Sequence, residues 1–244
     1  MATTHETGHA VNFNNFNTLI ARVIGYGIRY NPTNNIIKQP ALQTAYSNAG
    51  TAIQHIAQYK PAWDNAINTR QQLFADMEKL STRAINAFDA TEAVTDAQVK
   101  DAKTVLRKIR GERKSKLIEN PTPEDPNQIS ASQKSFANQV LHFGQLVGLI
   151  TAEPTYNPNE VDVQPASLVS FLNSLNTANQ TVATAQQPYL DALAERATTF
   201  YADKTGLFDL QKEVKKYVKS VSTITLTEFR QISGLKFTRP KKKQ

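Results

Sequence analysis

Residues 42–77 read LQTAYSNAGTAIQHIAQYKPAWDNAINTRQQLFADM. Stepping through them by fours and threes from Leu42 lands on Tyr46, Ala49, Ile53, Ile56, Lys60, Trp63, Ile67, Arg70, Phe74 and Met77. A 3.5-residue recurrence is the seam of a helix that packs along its length against a partner helix, whereas a half-buried strand would alternate by twos. Residues 168–200 repeat this register position for position, as Leu168, Leu172, Leu175, Asn179, Val182, Gln186, Tyr189, Leu193, Arg196 and Phe200. The phase passes Pro61 and Pro188 without a jump, although an interior proline removes a backbone bond and usually kinks a helix. One long helix per stretch is therefore predicted, over about 38–90 and about 164–203. About 40 residues at 1.5 Å each would make such a helix about 60 Å long.

The two stretches belong to a longer repetition. Tyr30-Asn31-Pro32 recurs as Tyr156-Asn157-Pro158, an offset of 126, and eleven pairs are identical without a gap between 30 and 74. Chance at ordinary composition would give about three. Among the eleven are Ala52/Ala178, Ala66/Ala192, Arg70/Arg196 and Phe74/Phe200. Further on, Leu106-Arg107-Lys108-Ile109-Arg110-Gly111 matches Phe229-Arg230-Gln231-Ile232-Ser233-Gly234 at an offset of 123, which implies a small insertion in the first copy. The division that follows is a disordered tail over 1–9, a helical repeat over 10–116, a linker over 117–131, a second repeat over 132–239 and a basic tail over 240–244. Supporting helices are expected over about 10–27 and 131–152, before the Asn- and Pro-containing loops, and over about 95–110 and 207–221, after the long helices. Only Val221–Thr227 (VSTITLT) looks strand-like. The class is all-α, an elongated antiparallel bundle with two long helices; two separate small bundles is the competing arrangement.

Composition narrows the function classes. The chain has 244 residues, 28 Lys and Arg against 21 Asp and Glu, and a net charge of +7. The absence of cysteine excludes disulfide staples, thiolate metal sites and thiol nucleophiles. The opening MATTHETGHAVN lacks the basic start and apolar run of a signal peptide, so a cytoplasmic location is expected. Val140–Ile150 falls short of the roughly 20 apolar residues of a spanning helix, so no transmembrane segment is expected. The positive charge is local: 100–119 and 236–244 each carry +5, and the remainder of the chain is slightly acidic. Arg107, Lys108, Arg110, Arg113, Lys114 and Lys116 in the first segment, and Lys236, Arg239, Lys241, Lys242 and Lys243 in the second, are the candidates for binding an anion or nucleic acid. Arg113 aligns with Lys236 and Lys116 with Arg239, as a basic patch duplicated with the fold would require.

Other motifs carry less. His5-Glu6-Thr7-Gly8-His9 has the spacing of a zinc metalloprotease helix, which makes His5 and His9 metal-ligand candidates with Glu6 as the base. That chemistry needs a packed helix and a third ligand, whereas this motif contains a glycine and no apolar segment precedes it. Arg70 and Arg196 occupy equivalent seam positions, where a guanidinium needs partners. A structural ion pair or a carbonyl cap is the expected role, with Asp64, Asp76, Glu78, Asp191 and Glu195 as available acids. Trp63 and Tyr189, also equivalent, are read as core anchors beside Phe74 and Phe200. No nucleophile elbow or phosphate loop is present, and no cofactor is expected.

The surroundings of the Tyr-Asn-Pro motifs, and the ending VKKYVKS (214–220) followed by ISGLKF (232–237), resemble a group of internally duplicated, all-helical bacterial proteins. The resemblance covers most of the chain. It implies the duplicated helical fold and, because that group has no established activity, no site or cofactor. The leading expectation is a non-enzymatic structural or interaction protein, a rigid bundle for self-assembly or for bridging a protein partner. The alternatives are a nucleic-acid-binding, nucleoid-associated protein using 100–119 and 236–244, a membrane-active protein using 140–150 as an apolar head, and a zinc hydrolase through HETGH.

Overall fold

Each of the two seams forms one long helix. In the computed structural model, which describes residues 8–112 and 134–239, α2 (Gln39–Asp89) runs for 51 residues and α5 (Pro165–Tyr201) for 37, each continuous through its proline. Both prolines lie on exposed faces, so the carbonyl each one deprives of a donor is open to water. Leu42, Ala49, Phe74 and Met77 of α2, and Leu168, Leu175, Val182 and Phe200 of α5, are buried. The other seam residues are half-buried, except the exposed Lys60. Ala52, Ala66, Ala178 and Ala192, identical pairs beside the seam, are buried as well, and side chains this small let a neighbouring helix come close.

Five shorter helices complete the all-α fold: α1 (His9–Gly25), α3 (Asp96–Arg110), α4 (Phe136–Thr151), α6 (Leu207–Ser220) and α7 (Leu226–Ser233). No strand is present among the described residues. The strand-like run 221–227 is a turn followed by the start of α7. Thr225 caps that helix by accepting from the Glu228 backbone N–H at 3.2 Å, while the Glu228 carboxylate accepts from the Thr225 N–H at 2.8 Å. This reciprocal cap outweighs the β preference of the Val, Thr and Ile residues before it. Helix α1 begins at His9, inside the stretch read as tail. Residues 1–7, the linker 117–131 and the tail 240–244 lie outside the described residues.

The chain forms two compact units, one of Met1–Pro61 with Gln186–Gln244 and one of Ala62–Ala185, so each boundary falls inside a long helix. In the terminal unit, Phe16, Leu19 and Val23 of α1 share a core with Leu42 of α2, Phe200 of α5, Leu210 and Val214 of α6 and Ile232 of α7. In the central unit, Phe74 and Phe88 of α2 share one with Ile109 of α3, Phe143 and Ile150 of α4 and Leu168 and Leu175 of α5. There α3 packs on α4, and the end of α2 meets the entry to α5 where Arg83 forms a bidentate ion pair with Asp162. Each unit thus takes its sequence from both predicted repeats.

One joint occurs at both offset-paired positions. The Tyr30 hydroxyl donates to the Ile37 carbonyl at 2.7 Å, and the Tyr156 hydroxyl to the Val163 carbonyl at 2.8 Å. Each carbonyl ends a three-residue 3-10 turn, Asn35–Ile37 or Val161–Val163, directly before the long helix. Both tyrosines are buried, and burial raises both hydroxyl pKa values, that of Tyr156 to about 12. Tyr30 lies edge-on to Tyr217, and Tyr156 to Phe88.

The two stretches differ where the long helices end. α2 continues to Asp89, whereas α5 stops at Tyr201 and the chain turns through residues 202–206 into α6. Gly206 makes that turn fit: a Cβ there would sit 2.6 Å from the Ala202 nitrogen and 2.7 Å from that of Tyr201. The buried register nevertheless persists, Ser81, Ala84, Ile85 and Phe88 being matched at the same offset by Leu207, Leu210, Gln211 and Val214.

Candidate functional site

Helix α3 carries the densest charge among the described residues. Its start is fixed by a capping box between Thr95 and Gln98, and its end by Gly111 in the left-handed conformation, which glycine adopts without a side-chain penalty. Between them Lys100, Lys103, Arg107 and Arg110 recur at spacings of three and four, so they share one face. They line a groove of about 700 Å³ together with Thr104 and the carboxylates of Asp89 and Asp96. Lys103 pairs with Asp89 at 3.1 Å. The two guanidiniums rest on hydroxyls, Arg107 on Thr104 at 3.1 Å and Arg110 on Thr82 at 3.0 Å, and Arg110 reaches Glu112 only at 3.9 Å. Lys108 lies on a different, exposed face. Lys100 and Lys103, within the basic segment 100–119, extend the row from the candidate Arg107 back by two turns.

The second basic segment is placed otherwise. Residues 235–239 form a non-helical strap whose backbone is clasped by side chains. Asn12, buried in α1, donates its amide to the Thr238 carbonyl at 2.7 Å and accepts from the Thr238 N–H at 3.0 Å. Asn15 donates to the Lys236 carbonyl at 2.7 Å, and the Lys215 ammonium to that of Leu235 at 2.6 Å. The Arg239 guanidinium donates to the Tyr201 carbonyl at 3.0 Å and lies over the rings of Tyr201 and Phe208. Arg239 is therefore engaged within the fold. The strap belongs to the terminal unit and α3 to the central one. The stretch aligned with α3, which is a turn followed by α7, carries Thr223, Leu226 and Ser233 where α3 has Lys100, Lys103 and Arg110, keeping only Arg230 opposite Arg107. The basic face is thus not repeated among the described residues. Arg113, Lys114, Lys116, Lys241, Lys242 and Lys243 lie outside them.

Of the HETGH motif, only Gly8 and His9 are described. The His9 ring lies edge-on to Phe200 and Tyr201, with centroids 5.2 and 5.6 Å away. Its pKa is lowered by burial first and by the Arg196 charge second. His55 pairs with Glu195 at 2.7 Å, and His142 meets the Gln145 side-chain oxygen at 3.3 Å. Among the described residues no three His, Asp or Glu side chains converge as metal ligands would.

The seam arginines depart from expectation. Arg70 sits over the Phe136 ring, 4.0 Å from its centroid, and Phe136 in turn lies edge-on to Phe74. Arg196 sits near His9 and Tyr201. The Nε of each arginine is buried without a hydrogen-bond partner, and among the described residues neither forms an ion pair. The available acids stand one, five, six or eight positions away along the same helix, and residues share a face at three and four. Three of those acids are otherwise engaged: Asp76 accepts from Gln72, Asp191 from Gln187 and Glu195 bonds His55. Trp63 and Tyr189 are half-buried.

Two further surfaces have no sequence signature beyond composition. In the central unit a trough of about 650 Å³ runs along α2 and α5, lined by Ala62, Ala66 and Thr69 on one and Ser170, Ser174 and Thr177 on the other. In the terminal unit, Ile28 is 98% exposed and Leu226 64% exposed. Both flank one joint, in which Tyr26 donates to the Glu228 carbonyl at 3.1 Å and Arg29 forms a bidentate pair with the Glu228 carboxylate at 2.8 and 3.2 Å. That pair and the Thr225 cap lower the Glu228 pKa to about 2. No helix among the described residues is long and apolar enough to cross a membrane. No family model, curated protein or solved structure matches the chain.

Proposed function

We propose that the protein is a non-enzymatic structural and interaction protein, an internally duplicated helical scaffold that assembles with further copies of itself. The observation that carries this reading is the exposed apolar pair at the Tyr26–Arg29–Glu228 joint. Ile28 and Leu226 are large aliphatic side chains in water, yet the backbone presenting them is fixed by three hydrogen bonds from Tyr26 and Arg29. A pre-ordered apolar contact loses little conformational entropy on docking, which favours association. Isolated exposed aliphatics are common; rigid presentation distinguishes these. The small-residue trough along α2 and α5 adds a surface that a helix backbone can approach closely.

The test is the association state of the full chain beside an Ile28→Asp, Leu226→Asp double variant. The wild type is expected to form discrete cross-linked dimers or larger species at about micromolar concentration, and the variant to lose them with its thermal midpoint unchanged. Equal cross-linking of the two proteins would refute this assignment of the contact.

A further inference from the structure

We propose that the α3 groove of the central unit binds the phosphodiester backbone of a nucleic-acid strand, without reading its bases. This goes beyond self-assembly and does not depend on it. The four cations lie along one face of one helix, and the ten steps from Lys100 to Arg110 rise about 15 Å at 1.5 Å each. A row of that length suits a linear polyanion better than a single small anion.

The chemistry at each position supports it. Arg107 rests on a neutral threonine hydroxyl, and Arg110 on another with a longer 3.9 Å contact to Glu112, so their remaining N–H donors can take phosphate oxygens in the fork geometry a guanidinium favours. Lys100, exposed and without an ion pair among the described residues, adds a point charge. The two carboxylates of the groove belong to the end of α2 and the first turn of α3, so the opposite end is the positive one. Cations in the last turn of a helix also answer its dipole, which accounts for Arg107 and Arg110. It does not account for Lys100 and Lys103 further back, and α7 keeps a helical end with Arg230 alone. The row therefore exceeds what the fold requires.

The same observations select the occupant. Val99 and Leu106, the aliphatic side chains of the groove, are buried, so it lacks the exposed apolar centre on which a protein interface depends. α3 exposes no large apolar side chain that could enter a lipid surface. Neither an aromatic ring nor an Asn or Gln amide lines the groove, so stacking and base-edge pairing are missing while phosphate contact is provided.

The experiment is fluorescence anisotropy of the full chain with a labelled oligothymidylate of about 20 nucleotides, titrated from about 25 to about 200 mM KCl. Binding at low salt is expected, with log Kd rising by about 2–3 per tenfold increase in salt, as three or four released counterions give. Replacing Lys100, Lys103, Arg107 and Arg110 by Gln should weaken binding at least about tenfold and flatten the salt dependence. Because Arg110 also holds Thr82, the single variant Lys100→Glu, at an exposed position, gives a second reading and should lose affinity about threefold or more. Replacing Lys204, Lys212, Lys216 and Lys219 by Gln removes equal charge elsewhere and should leave affinity within about twofold. No binding by the wild type at low salt, undiminished binding by both α3 variants, or equal loss in the control would overturn the proposal. So would equally strong competition by a polyglutamate peptide, which would mark an acidic protein surface as the partner.

Discussion

Replacing Tyr30 or Tyr156 by Phe deletes one oxygen and leaves the ring contacts with Tyr217 or Phe88 in place. What is lost is a single hydrogen bond, of 2.7 Å to the Ile37 carbonyl or 2.8 Å to that of Val163. Ile37 and Val163 are themselves buried, so water does not readily replace the hydroxyl, and the unsatisfied carbonyl costs about 1–3 kcal/mol. For a chain of this size each kcal/mol lowers the unfolding midpoint by about 2–4 °C, so a drop of about 2–12 °C is expected for either variant. The two sites share no partner and belong to different units, so the double variant should show the sum within about 0.5 kcal/mol. Alkaline titration gives a second reading. Both hydroxyls have raised pKa values, so the folded chain holds protons that the unfolded chain releases. Their contribution is complete below pH 10, the ordinary tyrosine value, and for Tyr156 is lost as pH climbs from there through about 12. Calorimetry and denaturant titration of the three variants at pH 7 and above pH 10 would measure this. A neutral Tyr30→Phe beside a costly Tyr156→Phe would refute the reasoning that one joint is used twice.

Other substitutions probe the parts that differ between the two stretches. Gly206→Ala places a Cβ 2.6 Å from the Ala202 nitrogen and should destabilise by about 2–4 kcal/mol. Gly25→Ala meets nothing within 4 Å in α1 and should stabilise by up to about 1 kcal/mol; denaturant midpoints of both would check the contrast. Asn12→Ala strips the Thr238 backbone of both partners, and should cost about 2–3 kcal/mol and speed tryptic cleavage after Lys236, read by mass spectrometry.

The long helices were legible because a heptad register persists for ten or more positions in each stretch, and because Pro61 and Pro188 fall on water-facing positions where neither disturbs the packed side. The Tyr-Asn-Pro motif marked the joint, but not its bond: a hydroxyl reaching a carbonyl seven residues on has no local signature. The run VSTITLT misled because β-branched residues favour strands in isolation, while the Thr225–Glu228 cap decides the conformation there. The arginine partners were misjudged since acids near Arg70 in sequence lie on other faces, and its actual neighbour, Phe136, comes from a helix 66 residues away. The charge count over 100–119 marked the basic segment on α3 but not the face its cations share; only the fold separates it from Arg239, which resembles it in sequence but is spent on holding the strap.

Self-assembly is the claim on which the functional account rests, and it is most directly tested by the mass of the unmodified full chain in solution. Sedimentation equilibrium over about micromolar to about hundred-micromolar concentrations should give a weight-average mass that rises above the 27.1 kDa of one chain and fits a closed dimer or larger ring. A mass fixed at 27.1 kDa over that whole range would contradict it.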